Sequence, residues 1–76
     1  MAKVRIHDAV ADALRAMDVA VVTIDLSHRH PRVLWDDAGK SGQKGIITVP
    51  GTSGDRRALL NNITMARRIV RAAREG

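Results

Sequence analysis

The chain has no cysteine, phenylalanine or tyrosine, and Trp35 is its only aromatic residue. Without cysteine there are no disulfide staples and no thiolate zinc sites, a pattern that fits a reducing cytosol. With no Phe or Tyr the chain lacks the aromatic platform on which RRM- and OB-type proteins stack single-stranded bases. Any nucleic-acid binding must then work through shape and phosphate. The most apolar run, Val19 to Ile24, is far too short to cross a bilayer. The first residues carry Lys3, Arg5 and Asp8 rather than the apolar stretch of a signal peptide, so no membrane association is expected and a cytoplasmic location is.

Acidic charge is also scarce. Eight Asp and Glu face thirteen Lys and Arg, for a formal net charge of +5, and ten of those thirteen cations are arginine. The guanidinium fork matches phosphate and carboxylate geometry, so the expected partner is RNA or an acidic protein surface. Seventy-six residues allow one domain. A chain of this size buries only about 60% of its unfolded surface, which leaves no room for a deep small-molecule pocket, and no cofactor is expected. Its core must be built from Val, Ile, Leu, Ala and Met around Trp35. Such thin aliphatic cores gain from self-association, so a homodimer is among the expected states.

Apolar spacing predicts a helix over Lys3 to Asp18, with Val4, Val10, Ala11, Ala13, Leu14 and Met17 on its inner side. "VAVVTIDL" predicts a strand with Val22, Ile24 and Leu26 on one face. "PRVLW" and "KGIITVP" predict two more strands, joined by "DDAGKSGQ" with Gly39 and Gly42 at the hairpin tip and Asp36 and Asp37 as turn formers. Thr52, Ser53 and Asp55 are N-cap candidates for a long helix, Arg56 to Arg74. Its apolar stripe is Leu59, Ile63, Ala66, Val70 and Ala73. The expected fold is α+β: a three-stranded antiparallel sheet with two helices packed on one face, in the order αβββα.

Two clusters carry potential chemistry. The last helix holds Arg56, Arg57, Arg67, Arg68, Arg71 and Arg74, a stripe suited either to a phosphate backbone or simply to solvent. Leu60 lies within it and points toward a protein partner. The segment "LSHRHPRVLW" places His28 and His30 one residue apart, with Arg29 and Arg32 beside them. In extended chain the two imidazoles would share a side. Two ligands do not make a metal site, so no metal is expected. Cleaving RNA through its own 2′-OH needs a base at the hydroxyl and cations at the phosphate, which His30 or His28 with Arg29 and Arg32 would supply. A polar turn between strands is the competing reading. Lys44, opening the third strand, joins the cationic set. The Gly-Lys-Ser of "DDAGKSGQKG" lacks the P-loop frame.

With Ser27-His28-Arg29-His30 before the strand Arg32-Val33-Leu34-Trp35, and Ile46-Ile47-Thr48-Val49-Pro50 as the third strand, the chain resembles the HicA-type toxins. Those are small basic proteins with a double-stranded-RNA-binding-domain-like fold. Leu26 stands where those toxins carry a glycine. The resemblance implies a translation-independent mRNA interferase neutralised by a HicB-like antitoxin, with the catalytic histidine falling on His30 first and His28 second. The chain is also similar to small uncharacterised phage and prophage proteins, through His30, Pro31 and Arg32, then Thr52, Asp55, Arg56 or Arg57, Ala58 and Asn61 or Asn62. That resemblance implies a phage-encoded, non-enzymatic protein that binds and inhibits a host defence or regulatory complex. Nothing pairs two helices as a helix-turn-helix would.

Overall fold

In the computed structural model, residues 5–49 and 56–75 are described. Two helices bracket three strands: α1 (Ile6–Ala16), β1 (Val21–Asp25), β2 (Arg32–Asp36), β3 (Lys44–Thr48) and α2 (Arg56–Glu75). The strands form an antiparallel sheet in the order β1-β2-β3. The αβββα layout expected from the sequence is therefore the fold of the protein. Val4, Pro50 and the cap candidates Thr52, Ser53 and Asp55 lie outside the described residues.

The helix α1 forms because its apolar residues recur at helical spacing with no glycine or proline to interrupt them. Val10, Ala11 and Leu14 are fully buried, as is nearly all of Ile6. Each such Leu, Ile or Val contributes about 1.5–3 kcal/mol by leaving water. The helix ends sooner than its periodicity suggests. Asp18 takes a left-handed conformation, φ 61°, its N–H donates to the Arg15 carbonyl, and the Val19 N–H reaches back to Leu14. This is a Schellman stop, with Val19 buried in the same cluster as Leu14. An aspartate tolerates this conformation less easily than glycine, and no glycine marks the position.

Pleating assigns the two faces of the sheet. Across β2, Val33 and Trp35 are buried while Arg32, Leu34 and Asp36 alternate outward. The inner face continues through Val22 and Ile24 on β1 and Ile47 on β3, and Val49 follows into the core. Leu26, expected on that face, is instead 58% exposed, because β1 ends at Asp25 and the chain bends away. The helices cover the inner face in an uneven way. α1 lies on β1 and β2, and α2 packs chiefly against α1, contributing Ala66 and Val70 to the core with Leu59 and Ala73 at its margin.

Both helices finish at the hairpin end of the sheet. Arg74, near the end of α2, donates to the carbonyl of Met17 at the end of α1 (2.7 Å) and to the Asp37 carboxylate just after β2. The opposite end, where Asp25, Arg32 and Thr48 stand side by side, carries the β1–β2 connection. In the hairpin Gly42 adopts φ 72°, the left-handed region open to glycine.

Gly45 is constrained by space. It sits opposite Trp35 across the β2–β3 ladder, and a Cβ there would lie 3.1 Å from the indole ring. Trp35 is 5% exposed and its Nε1 has no hydrogen-bond partner among the described residues, so the ring is held by packing alone. Gly45→Ala is expected to destabilise the fold by about 1–3 kcal/mol through overpacking, with a change in Trp35 fluorescence. Urea denaturation followed through that single tryptophan measures both. An unchanged midpoint would show that the ring can yield.

Candidate functional site

The segment that carries the histidines is not extended. Residues 27–30 form consecutive bends, anchored by Asp25, whose carboxylate accepts from the Ser27 N–H (2.9 Å) and from the Ser27 hydroxyl. This is an Asx turn, local geometry that aspartate favours two residues before the bonded N–H. Strand alternation therefore does not govern His28 and His30. His28 places Nε2 3.5 Å from the second Asp25 oxygen, which makes a loose, exposed His–carboxylate pair. His30 is exposed, and among the described residues it has no hydrogen-bond or ion-pair partner. Pro31 follows it, and the Pro31 carbonyl accepts from the Val49 N–H at 3.0 Å, which fixes the exit of the turn to the end of β3.

Asp25 is the residue of this turn that the sequence did not single out. Its two Ser27 hydrogen bonds hold its pKa below the ordinary carboxylate value, with smaller help from His28 and Arg32. It stays ionised and so orients His28. The signal was available in the spacing Asp-x-Ser at the end of a strand, a combination that predicts an Asx turn. The structure thus gives the two candidate histidines different surroundings: His28 has a carboxylate behind it and His30 has open solvent. The third histidine, His7, is buried on α1, 3.6 Å from the Asp8 carboxylate, and takes no part in the turn. Among the described residues no three His, Asp or Glu side chains gather as metal ligands.

The cations divide into groups. Arg29 is exposed in the turn and Arg32 opens β2 on the outer face beside Asp25. Lys44 opens β3 at the far, hairpin end of the sheet, so it does not join the histidine turn. On α2, Arg56, Arg57, Arg67, Arg68 and Arg71 are all exposed. At 100° per residue they fall within about 120° of the helix circumference and run about 22 Å along it. Among the described residues none of the five has a carboxylate partner.

Arg74 does not belong with them. Its Nε donates to Asp37 Oδ2 at 2.8 Å and its Nη2 to Oδ1 at 2.9 Å, a bidentate clamp on a carboxylate with no exposed surface. Ser41 Oγ donates to the same Asp37 at 3.0 Å. The guanidinium clamp and the serine bond hold the Asp37 pKa at about 2, against an ordinary 3.8. Asp37 is a turn former as expected, its carbonyl accepting from Lys40 and Gly42, but it is also one half of a buried ion pair. Asp36, expected in the turn, is the last residue of β2. Helical spacing already sets Arg74 apart from Arg71: Arg74 follows the buried Ala66 and Val70 at four-residue steps and borders the apolar stripe, whereas Arg71 lies farther round the helix and is exposed.

No family model, curated protein or solved structure matches the chain. No helix among the described residues is long and apolar enough to cross a membrane.

The depressed pKa of Asp37 fixes a pH dependence. Stability from this pair is present in full above the unfolded carboxylate pKa, near 4, and is lost as pH falls from there through about 2. Arg74→Gln removes that loss and lowers stability at neutral pH, whereas Arg71→Gln changes it by no more than about 0.5 kcal/mol. Thermal melts of the three proteins between neutral and strongly acidic pH distinguish them. Equal melting temperatures for the two variants at neutral pH would remove Arg74 from the core.

Proposed function

We propose that the chain is a small RNA-binding protein that holds the phosphate backbone on the arginine face of α2, with the His28–His30 turn as a second point of contact. The observation that carries this reading is the set of five exposed arginines on α2, without a carboxylate partner among the described residues. A solvated face usually intersperses both signs; here Glu75 is the only acid on the helix. Trp35, the only Phe, Tyr or Trp in the chain, is buried, so the large aromatic platform of single-strand binders is missing and structured or duplex RNA is the better substrate.

The turn adds a catalytic extension. An imidazole backed by a carboxylate suits acid–base chemistry at a ribose 2′-OH, and Arg29 and Arg32 would supply the cations that neutralise the phosphate. The likeness to HicA-type toxins supports such an interferase, with a HicB-like antitoxin as its partner. His28 has the oriented geometry and His30 the position that the toxin motif implies.

A second reading rests on Leu60, which is 52% exposed within the arginine face. A phosphate backbone gives that leucine nothing, while an acidic protein surface with an apolar centre would cover it. On that reading the chain is a phage-encoded inhibitor of a host defence or regulatory complex.

Fluorescence anisotropy with labelled duplex and single-stranded RNA across a salt series tests the first reading. Affinity should fall linearly on log–log axes, and each of Arg67→Gln, Arg68→Gln and Arg71→Gln should reduce the slope by up to about 1. Leu60→Gln should leave RNA affinity unchanged. Affinity that is flat with salt would overturn the phosphate reading and favour the protein partner. Incubation with total RNA then tests cleavage: loss of activity in His28→Ala or His30→Ala identifies the catalytic group, and intact RNA with the wild type removes the nuclease extension while leaving binding in place.

A further inference from the structure

The face of the sheet turned away from the helices carries an apolar centre that neither reading uses. Thr23, Leu34 and Ile46 cross its middle row, with Val21 beside them, around a shallow depression of about 500 Å³. Ile46 is 58% exposed and Val21 52%. Charges flank this row on both sides, Asp36 and Lys44 toward the hairpin, Asp25 and Arg32 toward the histidine turn. They sum to zero, two acids against two bases. In a chain of net charge +5, this neutral face is a poor place for a polyanion and a suitable one for another copy of the same chain.

The arrangement is self-complementary. Along the outward side of β2 the order is Arg32, Leu34, Asp36: base, apolar, acid. A two-fold axis through the middle row, perpendicular to the strands, reverses that order in the facing copy. Leu34 then meets its own symmetry mate, Ile46 meets Ile46, and Arg32 of each copy faces Asp36 of the other, while on the flanking strands Lys44 faces Thr48 and Val21 faces Asp25. Isologous pairing requires this property, that a patch match itself after rotation. The arginine faces of the two α2 helices would lie on the outer sides of such a dimer, so the clustered positive charge does not oppose it.

We propose that this face is a homodimer interface, two sheets packed face to face about Leu34 with paired Arg32–Asp36 contacts. Three strands of five residues offer a face of only about 17 Å by 14 Å. That is well below the roughly 800 Å² per partner of a standard interface, so the dimer is weak and forms only at high protein concentration.

Sedimentation equilibrium from micromolar to millimolar concentration tests it. The wild type should pass from monomer to dimer. Leu34→Lys should remain monomeric with an unchanged circular dichroism spectrum, since Leu34 lies outside the core. Arg32→Asp and Asp36→Arg should each weaken the dimer about tenfold or more, and the double charge swap should recover most of that loss. A wild type that is monomeric throughout would overturn the proposal. So would a dimer indifferent to Leu34→Lys, or single charge reversals that the double swap fails to rescue. If the chain stays monomeric and Leu34→Lys instead alters RNA affinity, the face belongs to the nucleic acid.

Discussion

The clamp between Arg74 and Asp37 is the contact on which the arrangement of this small fold most depends. One guanidinium joins three elements remote in sequence: the end of α2, the carbonyl at the end of α1, and the turn that leaves β2. α2 packs mainly on α1 rather than on the sheet, and a helix held by its neighbour alone is free to pivot over it. A charged, bidentate bond at one end removes that freedom. Its energetic meaning lies less in added stability than in the cost of breaking it, because Asp37 left without Arg74 would be a buried charge. Ser41 and the hairpin amides complete the surroundings of Asp37, so the hairpin is folded around the clamp.

With that end pinned, the chemistry is distributed to the other parts of the molecule. The arginine face of α2 looks outward along the helix. The histidine turn sits at the end of the sheet opposite the clamp, held by the Asx turn on one side and by the Pro31–Val49 hydrogen bond on the other. The first anchor is a side-chain carboxylate on a backbone N–H and a hydroxyl, the second a backbone bond, and together they fix where the turn lies while leaving the imidazoles exposed. Only His28 has a charged neighbour to orient it. The outer face of the sheet, neutral and apolar at its centre, lies on the side of the sheet away from the helices and borders the histidine turn at Asp25 and Arg32. The three surfaces therefore differ in kind: a cationic helix, a His-bearing turn and a self-matching sheet face.

Small size explains why the clamp matters. The core is Val, Ile, Leu and Ala around one indole, and that indole packs so closely on residue 45 that a Cβ there would lie 3.1 Å from the ring. Such a core excludes water but has few large side chains to lock one element against another. Specific polar contacts and local stops, such as the Asp18 reversal, define what apolar packing leaves loose.

Much of the fold was legible in the residues. Alternation in "RVLWD" and "VTID" set the two faces of the sheet, and the spacing of Val10, Leu14, Ala66 and Val70 set the inner sides of the helices, because period and side-chain polarity are local properties. The cationic face of α2 was legible for the same reason. What needed the tertiary structure were the exceptions. Arg74 borders the apolar stripe of α2, but only Asp37 brought beside it makes it half of an ion pair. His28 resembles His30 until Asp25 bends the chain. Leu26 has the pattern of a core residue until β1 stops one position earlier. In each case the sequence determined the type of side chain and the element that bears it, while the partner that decides its role comes from another element or from a turn whose path no periodicity records.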